Sequence, residues 1–419
     1  MDIKINHIAK MEGHAGFMAS VLQGDVKSAK LEIQEGIRLI EGVLIGRHFA
    51  DMPVVAQRIC GICPVVHNLT SIKALENAMG VQVSEETKQL RTIMELAQII
   101  HSHALHLFFL SLADFLDIDN DLELIKEYPA ETKKAIQVRE YGMEIIKIIG
   151  GRVVHPLTNE VGGFKKIPDA EKLRQLNAKS EEVLKIVLEL AEFFKMLQLP
   201  DFNRETEYVC LGGRAKYAIY DGDVISSKGL HIPVSQFETN FQELQKQQEV
   251  IKRIEHHGKS YMVGAIARIN VNRDKLNPKA KAYLDSLNWI FPDYNPFHNI
   301  LAQMVEVIHC IEESEKIINS LLHSDLNNIL TKPFKIKEGI GVAAVEAPRG
   351  TLYYHVEVDG RGYVKNVNII TPTAQFLSNL EDDIKAYIPQ VADLKGIKRE
   401  RKIRAFIRAY DPCISCAVH

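Results

Sequence analysis

This chain ends on metal ligands. Its last nine residues, Asp411-Pro412-Cys413-Ile414-Ser415-Cys416-Ala417-Val418-His419, hold a Cys-x-x-Cys pair and place a histidine last. Chain ends ordinarily fray, so an end this rich in donors is expected to be tied down inside the protein. The only other Cys-x-x-Cys is Cys60-Gly61-Ile62-Cys63, and 350 positions separate Cys63 from Cys413. If the two pairs share one site, the fold must bring nearly opposite ends of the sequence together.

Four thiolates from two such pairs can hold a tetrahedral zinc, an iron–sulfur cluster or a nickel-containing site. A single pair can also work as a redox dithiol. Zinc ribbons close over roughly 15 to 20 residues, and a loop of this length cannot form such a local module. The site must be built by the tertiary fold.

Composition narrows the class. The chain has 419 residues, 46% hydrophobic and 25% charged, with a net charge of −3 and six cysteines. That balance is globular, carries no polyanion-binding signature and implies no nucleic-acid partner. The start of the sequence lacks a basic segment followed by an apolar core, so no signal peptide is expected. Apolar runs such as Leu105 to Leu112 are too short to span a bilayer, so no membrane span is expected. Six cysteines in a chain of this size do not read as a disulfide scaffold.

The hydrophobic pattern is mainly α with small β-elements. Ile3 to Ile8, Ala15 to Leu22 and Val26 to Ile33 read as an N-terminal sheet, with a hairpin signal at Gly24-Asp25. Ile37 to Leu44 has helical spacing. Ser84 reads as the N-cap of a buried helix running through Leu112. Glu131 to Ile149, Asp169 to Leu197, Val234 to His256 and Asn299 to Leu330 read as further long helices. Glu207 to Leu211 with Tyr217 to Tyr220, and Thr351 to Val358 with Tyr363 to Thr371, read as hairpins. The expected architecture is one large multi-helix body spanning 1–419 as a single domain: a small β-region at 1–36, a helical body at 37–345, and a β-hairpin and C-terminal metal-binding region at 346–419.

Several motifs now add up. Arg58-Ile59-Cys60-Gly61-Ile62-Cys63-Pro64-Val65-Val66-His67 and Asp411-Pro412-Cys413-Ile414-Ser415-Cys416 resemble the two cysteine signatures of the NiFe-hydrogenase large, catalytic subunit. Lys10-Met11-Glu12-Gly13-His14 resembles that family's Arg-x-Glu-Gly-His, with lysine in place of arginine. Glu41-Gly42-Val43-Leu44-Ile45-Gly46-Arg47 resembles its Glu-x-x-x-x-Gly-Arg. Glu346-Ala347-Pro348-Arg349-Gly350 matches without substitution, and Thr371-Pro372-Thr373 resembles a late Pro-Thr element. The matches run in order along essentially the whole chain.

The resemblance implies roles residue by residue. Cys60 and Cys413 would bind nickel terminally; Cys63 and Cys416 would bridge it to an iron carrying carbonyl and cyanide ligands. Arg349, beside Pro348, would stand over those ligands with Asp114 and Asp411 as its carboxylate partners, because an unpaired buried charge is costly. The proton-accepting base in the heterolytic cleavage of dihydrogen would be the Cys413 thiolate or Arg349. Glu12 would relay protons from Cys413. His67 would hydrogen-bond a bridging sulfur and Thr373 a cyanide. Glu41, the Ile369 carbonyl and His419 would hold magnesium or a similar divalent ion. A chain ending at this histidine is expected to be the form left by removal of a C-terminal extension. The Gly150-to-Pro156 and Gly162-to-Phe164 segments resemble a loop near the partner interface. His101, His103 and His106 could suggest a ligand cluster, but packed histidines are the better reading.

Only Cys210 and Cys310 remain, too few for a cluster that needs four cysteines, and no dinucleotide fingerprint is present. The resemblance therefore implies an iron–sulfur small subunit and further electron-transfer subunits binding flavin, NAD(P) or a deazaflavin, in the cytoplasm. The competing readings are a dihydrogen sensor with little turnover, a structural zinc protein, and a degenerate respiratory-complex relative, the last disfavoured by the four cysteines.

Overall fold

The computed structural model describes residues 2–118, 120–213, 215–245 and 249–419. Two sheets and two helices position the site. At the N-terminus, strands Asp2–Ile5, Ala15–Leu22 and Asp25–Ile33 form an antiparallel sheet in sequence order. Its register sets Ile5 against Phe17 and Phe17 against Leu31. All three are buried, the inward set expected of period-two alternation.

Near the C-terminus, Gly339–Ala347, Gly350–Val358 and Val364–Ile370 form a second antiparallel sheet. Ala347 pairs directly with Gly350, so Pro348 and Arg349 are the tip of a tight hairpin. The sequence pattern reads the second and third of these strands and misses the first, whose run of small and buried residues lacks alternation. Helix Pro64–Met79 lies flat on that first strand. A Cβ on Gly341 would stand 2.0 Å from the Ala74 carbonyl oxygen and 2.4 Å from the Ala78 nitrogen. Only glycine lets the helix that starts beside Cys63 pack this close to the hairpin that carries Arg349.

The Glu85–Leu105 helix runs through the interior and continues, by way of a π-turn at His106–Ser111, to Phe115. Ser84 caps it by accepting from the Thr87 amide at 3.1 Å. This segment, Glu85–Phe115, is long and apolar enough to cross a membrane, yet 83% of its apolar window is buried inside the protein. Helices Pro129–Gly150 and Asn299–Leu321 pack against it, and Ala170–Lys195 packs on those two. A single apolar cluster extends from Ile3 to Val418.

Three expectations fail. The helix expected over Val234–His256 is instead a short turn, Phe237–Asn240, followed by a hairpin of Phe241–Leu244 with Arg253–His256. Here tertiary packing overrides the helix propensity of the Gln/Glu/Lys-rich stretch. Phe237 stacks on Tyr353 at 3.6 Å between centroids, and Phe241 stacks on His256. Residues 246–248 of that stretch lie outside the described residues. Tyr217 to Tyr220 is not a strand: Glu207–Gly212 pairs with Asp223–Ser226, while the Tyr217 hydroxyl is drawn inward to Glu306. The helix expected over Asn299–Leu330 stops at Leu321, and a separate turn follows at Leu326–Ile329. Overall the molecule is predominantly helical with several small sheets, as the pattern implies.

Candidate metal centre

Cys60 follows a short 3₁₀ turn, Gln57–Ile59, and Cys63 sits at the N-cap of the Pro64–Met79 helix. The amides of Ile62 and Cys63 both donate toward the Cys60 sulfur, at 3.3 and 3.4 Å. Successive amides converging on one sulfur favour its anionic form. Cys413 is the N-cap of the short helix Ile414–Ala417, and Cys416 lies within it. The fold brings the two pairs together: all four sulfurs lie within 4.8 Å of one another, buried. Cys60 is 3.6 Å from Cys413, Cys63 is 3.3 Å from Cys416, and Cys413 is 2.9 Å from Cys416. None is in a disulfide.

The electrostatics of this cluster call for a cation. Hydrogen bonds from Cys413, Cys416 and Cys63 pull the Cys60 thiol well below the usual range. Burial, then the hydrogen bonds with the neighbouring sulfurs, pushes the Cys413 thiol well above it. One sulfur ionises at the expense of the others; all four can ionise together only around bound metal. Sulfur separations of this size suit metal–sulfur bonds near 2.3 Å.

Glu12 reaches the cluster from the N-terminal sheet. Cys413 Sγ donates to Glu12 Oε2 at 3.0 Å, and the Ser415 amide donates to the same oxygen at 2.9 Å. The two backbones also meet, with Ile414 N donating to the Glu12 carbonyl at 3.0 Å. Gly13 makes this approach possible: its φ is +83°, and a Cβ there would lie 2.7 Å from the Ile414 Cβ. Glu12 itself is only partly buried, so it connects the sulfur to the surface.

Arg349, at the hairpin tip, lines a small cavity with Cys63, Cys413, Cys416 and Pro348. It donates from Nε to the Asp411 carbonyl and from Nη2 to Asp411 Oδ1, both at 2.7 Å. Burial opposes its charge, but Asp411 and then the cysteine sulfurs more than offset this, and its pKa is raised well above the ordinary value. Asp114 does not join it. That carboxylate is bound to Arg408 at 2.6 Å, because the π-turn and the end of the long helix direct it toward the Ile397–Ala409 helix. The polar group the fold places near Arg349 is Ser102, 3.5 Å from Nη1.

His67 stands between Cys416, 3.7 Å from its Nε2, and the Tyr354 hydroxyl, 2.9 Å from Nδ1. Burial holds its pKa down to about 3, so it is a neutral ring. Thr373 Oγ1 accepts from the Cys413 amide at 3.1 Å, leaving its own hydrogen free to donate into the cavity. Glu41, Ile369 and His419 also meet. Glu41 Oε1 accepts from the Ile369 amide at 2.8 Å, and His419 Nε2 lies 3.0 Å from the Ile369 carbonyl and 3.5 Å from Glu41. Although burial opposes it, hydrogen bonding and charge from His419, with Lys252, lower Glu41 to about 2.

The sequence reading missed Arg38, Tyr354, Ser102 and Gln98. Arg38 Nη2 donates to the carbonyls of Ile59 and Ser415, tying the two cysteine loops together. Gln98 donates to Ile62 O at 2.7 Å. None of them lies in a motif of the chain; each is one polar residue in an otherwise ordinary stretch. The three histidines of the long helix point to different partners: His101 to Ile62 O, His103 to Glu306 and His106 to Gln303. Cys210 and Cys310 are buried apart, their thiols pushed up by desolvation.

The chain matches the nickel-dependent hydrogenase family over residues 38–137 and 211–419. It is 32% identical to the sulfhydrogenase 1 alpha subunit of Pyrococcus furiosus, across 100% of this chain and 98% of that one. It is 28% identical to the beta subunit of the NAD-reducing hydrogenase HoxS of Cupriavidus necator, across 99% and 94%. Among solved structures, an NAD+-reducing [NiFe]-hydrogenase in its H2-reduced state superposes with a TM-score of 0.89 at 25% identity, covering 100% and 99% of the two chains. With its four sulfurs gathered into one cluster, the chain belongs to the nickel-dependent hydrogenase family as a large, catalytic subunit, an oxidoreductase acting on dihydrogen.

Proposed function

We propose that this subunit works in a cytoplasmic, cofactor-linked hydrogenase, passing electrons to an iron–sulfur small subunit and on to NAD(P) or a deazaflavin through flavin- or cofactor-binding partners. The NAD-reducing relative supports a nicotinamide acceptor. Cys60, Cys63, Cys413 and Cys416 would hold nickel and iron. When bound, that centre supplies the Lewis-acid and redox chemistry by which dihydrogen yields two electrons and two protons.

The chain's own residues carry the proton away and shape the cavity. The Cys413 sulfur, 3.0 Å from Glu12 Oε2, would take up a proton released from dihydrogen and hand it to that carboxylate, which is partly exposed. Arg349 presents a fixed positive charge to the cavity, oriented by Asp411. Val66, Pro348, Leu352 and Pro372 keep the cavity apolar, which suits carbonyl ligands on iron, while Arg349 and Thr373 offer donors for cyanide. His67, as a neutral ring, steadies the Cys416 sulfur. At the second site, Glu41, the Ile369 carbonyl and His419 supply a carboxylate, a carbonyl and an imidazole. Glu41 and Glu243 share the single ammonium of Lys252, and the remaining negative charge suits a magnesium-like ion.

The observation that carries the reading is the Cys413-to-Glu12 contact inside a buried four-sulfur cluster. Metal analysis of the purified complex tests it: nickel and iron in equal amounts, with infrared bands of metal-bound carbonyl and cyanide, are expected. Zinc alone would overturn it.

A further inference from the structure

The long interior helix departs from α-helical spacing at His106–Ser111, where it opens into a π-turn. Ser111 fills the widened turn, donating from Oγ to the carbonyls of His106 and Leu107 at 3.0 and 3.1 Å. Such turns recur where a side chain is re-aimed for function. The first residue of this one, His106, is 1% exposed.

Both of its ring nitrogens face acceptors. Nε2 lies 2.8 Å from the Arg408 carbonyl oxygen, which can only accept. Nδ1 lies 2.6 Å from Gln303 Oε1. The Gln303 amide is oriented by its other end, where Nε2 donates to Asp411 Oδ2 at 3.3 Å. An imidazole satisfies an acceptor at each nitrogen only with a hydrogen on each. The carboxylate nearest the ring is Asp411, whose Oδ1 is 3.9 Å from Nε2. The other charges around it are the Asp114–Arg408 pair, Arg349 on the far side of Asp411, and His103–Glu306 one turn earlier.

Asp411 needs this support. Its φ is +53°, a left-handed conformation that a side-chain-bearing residue keeps only when its surroundings hold it there. Its carbonyl and carboxylate are the two anchors of Arg349, and it lies two residues before Cys413.

We propose that His106 is a positioning residue for dihydrogen cleavage: as a doubly protonated ring it fixes Gln303 and Asp411, and through Asp411 it sets the Arg349 guanidinium beside the cysteine cavity. The functional half rests on the catalytic reading of Arg349; the protonation half does not, and the two are tested separately. Nitrogen-15 NMR of the purified complex labelled on histidine should show a doubly protonated ring at neutral pH that disappears in His106→Gln. A neutral ring at His106 would overturn the proposal whatever Arg349 does. Should His106→Gln fail to assemble, Gln303→Met removes one acceptor and should leave His106 with a single protonated nitrogen; unchanged resonances would count against the proposal. In the metal-loaded complex, His106→Gln should lower kcat about 10²-fold, the scale of a catalytic group misplaced by about 1 Å, with nickel and iron contents unchanged. Added to Asp411→Asn, it should cost nothing further, because both act through one contact. Fully additive losses would show that His106 does not act through Asp411.

Discussion

The two Cys-x-x-Cys pairs contribute equally to the cluster but are built by opposite means. The sulfurs of Cys60 and Cys63 are placed by local backbone, a 3₁₀ turn, two converging amides and a helix N-cap within a few residues, while Arg38, Gln98 and His101 reach this loop only at its backbone. Cys413 and Cys416 have little local support and are held by distant side chains. Glu12, Arg38, His67 and Thr373 each reach them from across the sequence. A pair fixed by its own backbone serves as a rigid anchor. A pair held by side chains has titratable partners against its sulfurs, and so it is the side of the cluster where protons can leave.

The largest test of that contrast is Glu12→Gln. It keeps the shape and the acceptor facing Ser415 but removes the carboxylate. Turnover should fall about 10²–10⁴-fold, the usual contribution of a positioned proton acceptor, while nickel content stays the same. Turnover equal to the unaltered enzyme would mean that protons leave by another side of the cluster.

Next comes Asp411→Asn, aimed at the same pair from its other flank. It leaves the buried Arg349 guanidinium without its anion. Loss of one partner from a buried ion pair costs about 3–5 kcal/mol, read as a lowered denaturation midpoint of the purified complex. A shift no larger than that of a surface substitution would show that the cysteine sulfurs alone balance Arg349.

The rigid side breaks by packing instead. Gly341→Ala would drive a methyl group into the backbone of Ala74 and Ala78. Neither backbone atom can swing away, so the helix behind Cys63 must separate from the hairpin carrying Arg349. Overpacking of this kind costs about 1–3 kcal/mol, measurable by chemical denaturation, and should loosen Cys63 and Arg349 together.

The same contrast explains what could be read in advance. The cysteines, Glu12, Glu41 and Arg349 were legible because each sits in a short motif whose residues act as neighbours. Long helices were legible where an apolar stripe met a cap, as at Ser84. Arg38 and Tyr354 were not, since their roles exist only after the ends of the chain meet. Asp114 was assigned to the wrong arginine for a related reason: sequence shows that a buried carboxylate needs a cation but not which of Arg349 and Arg408 the π-turn leaves within reach. The Phe241–His256 hairpin was hidden by helix-favouring Gln, Glu and Lys, whose propensity yields to the stacked rings of Phe237, Phe241 and Tyr353.

The smallest expected effect concerns the tether at the end of the long-range pair. Glu41 is lowered from 4.5 to about 2, burial opposing the shift and His419 and Lys252 outweighing it. A carboxylate with a depressed folded-state pKa contributes stability that is fully present above its unfolded value, and is lost as pH falls from about 4.5 toward 2. In metal-free protein, Glu41→Gln should therefore flatten the stability profile across that window. The effect is modest because the carboxylate is partly exposed and solvent screens it. Denaturation midpoints measured at steps through the window for both proteins decide the matter. Parallel profiles would mean that His419 is held by its bonds to the Cys416 and Ile369 carbonyls alone, and that the charge on Glu41 serves the bound cation and not the fold.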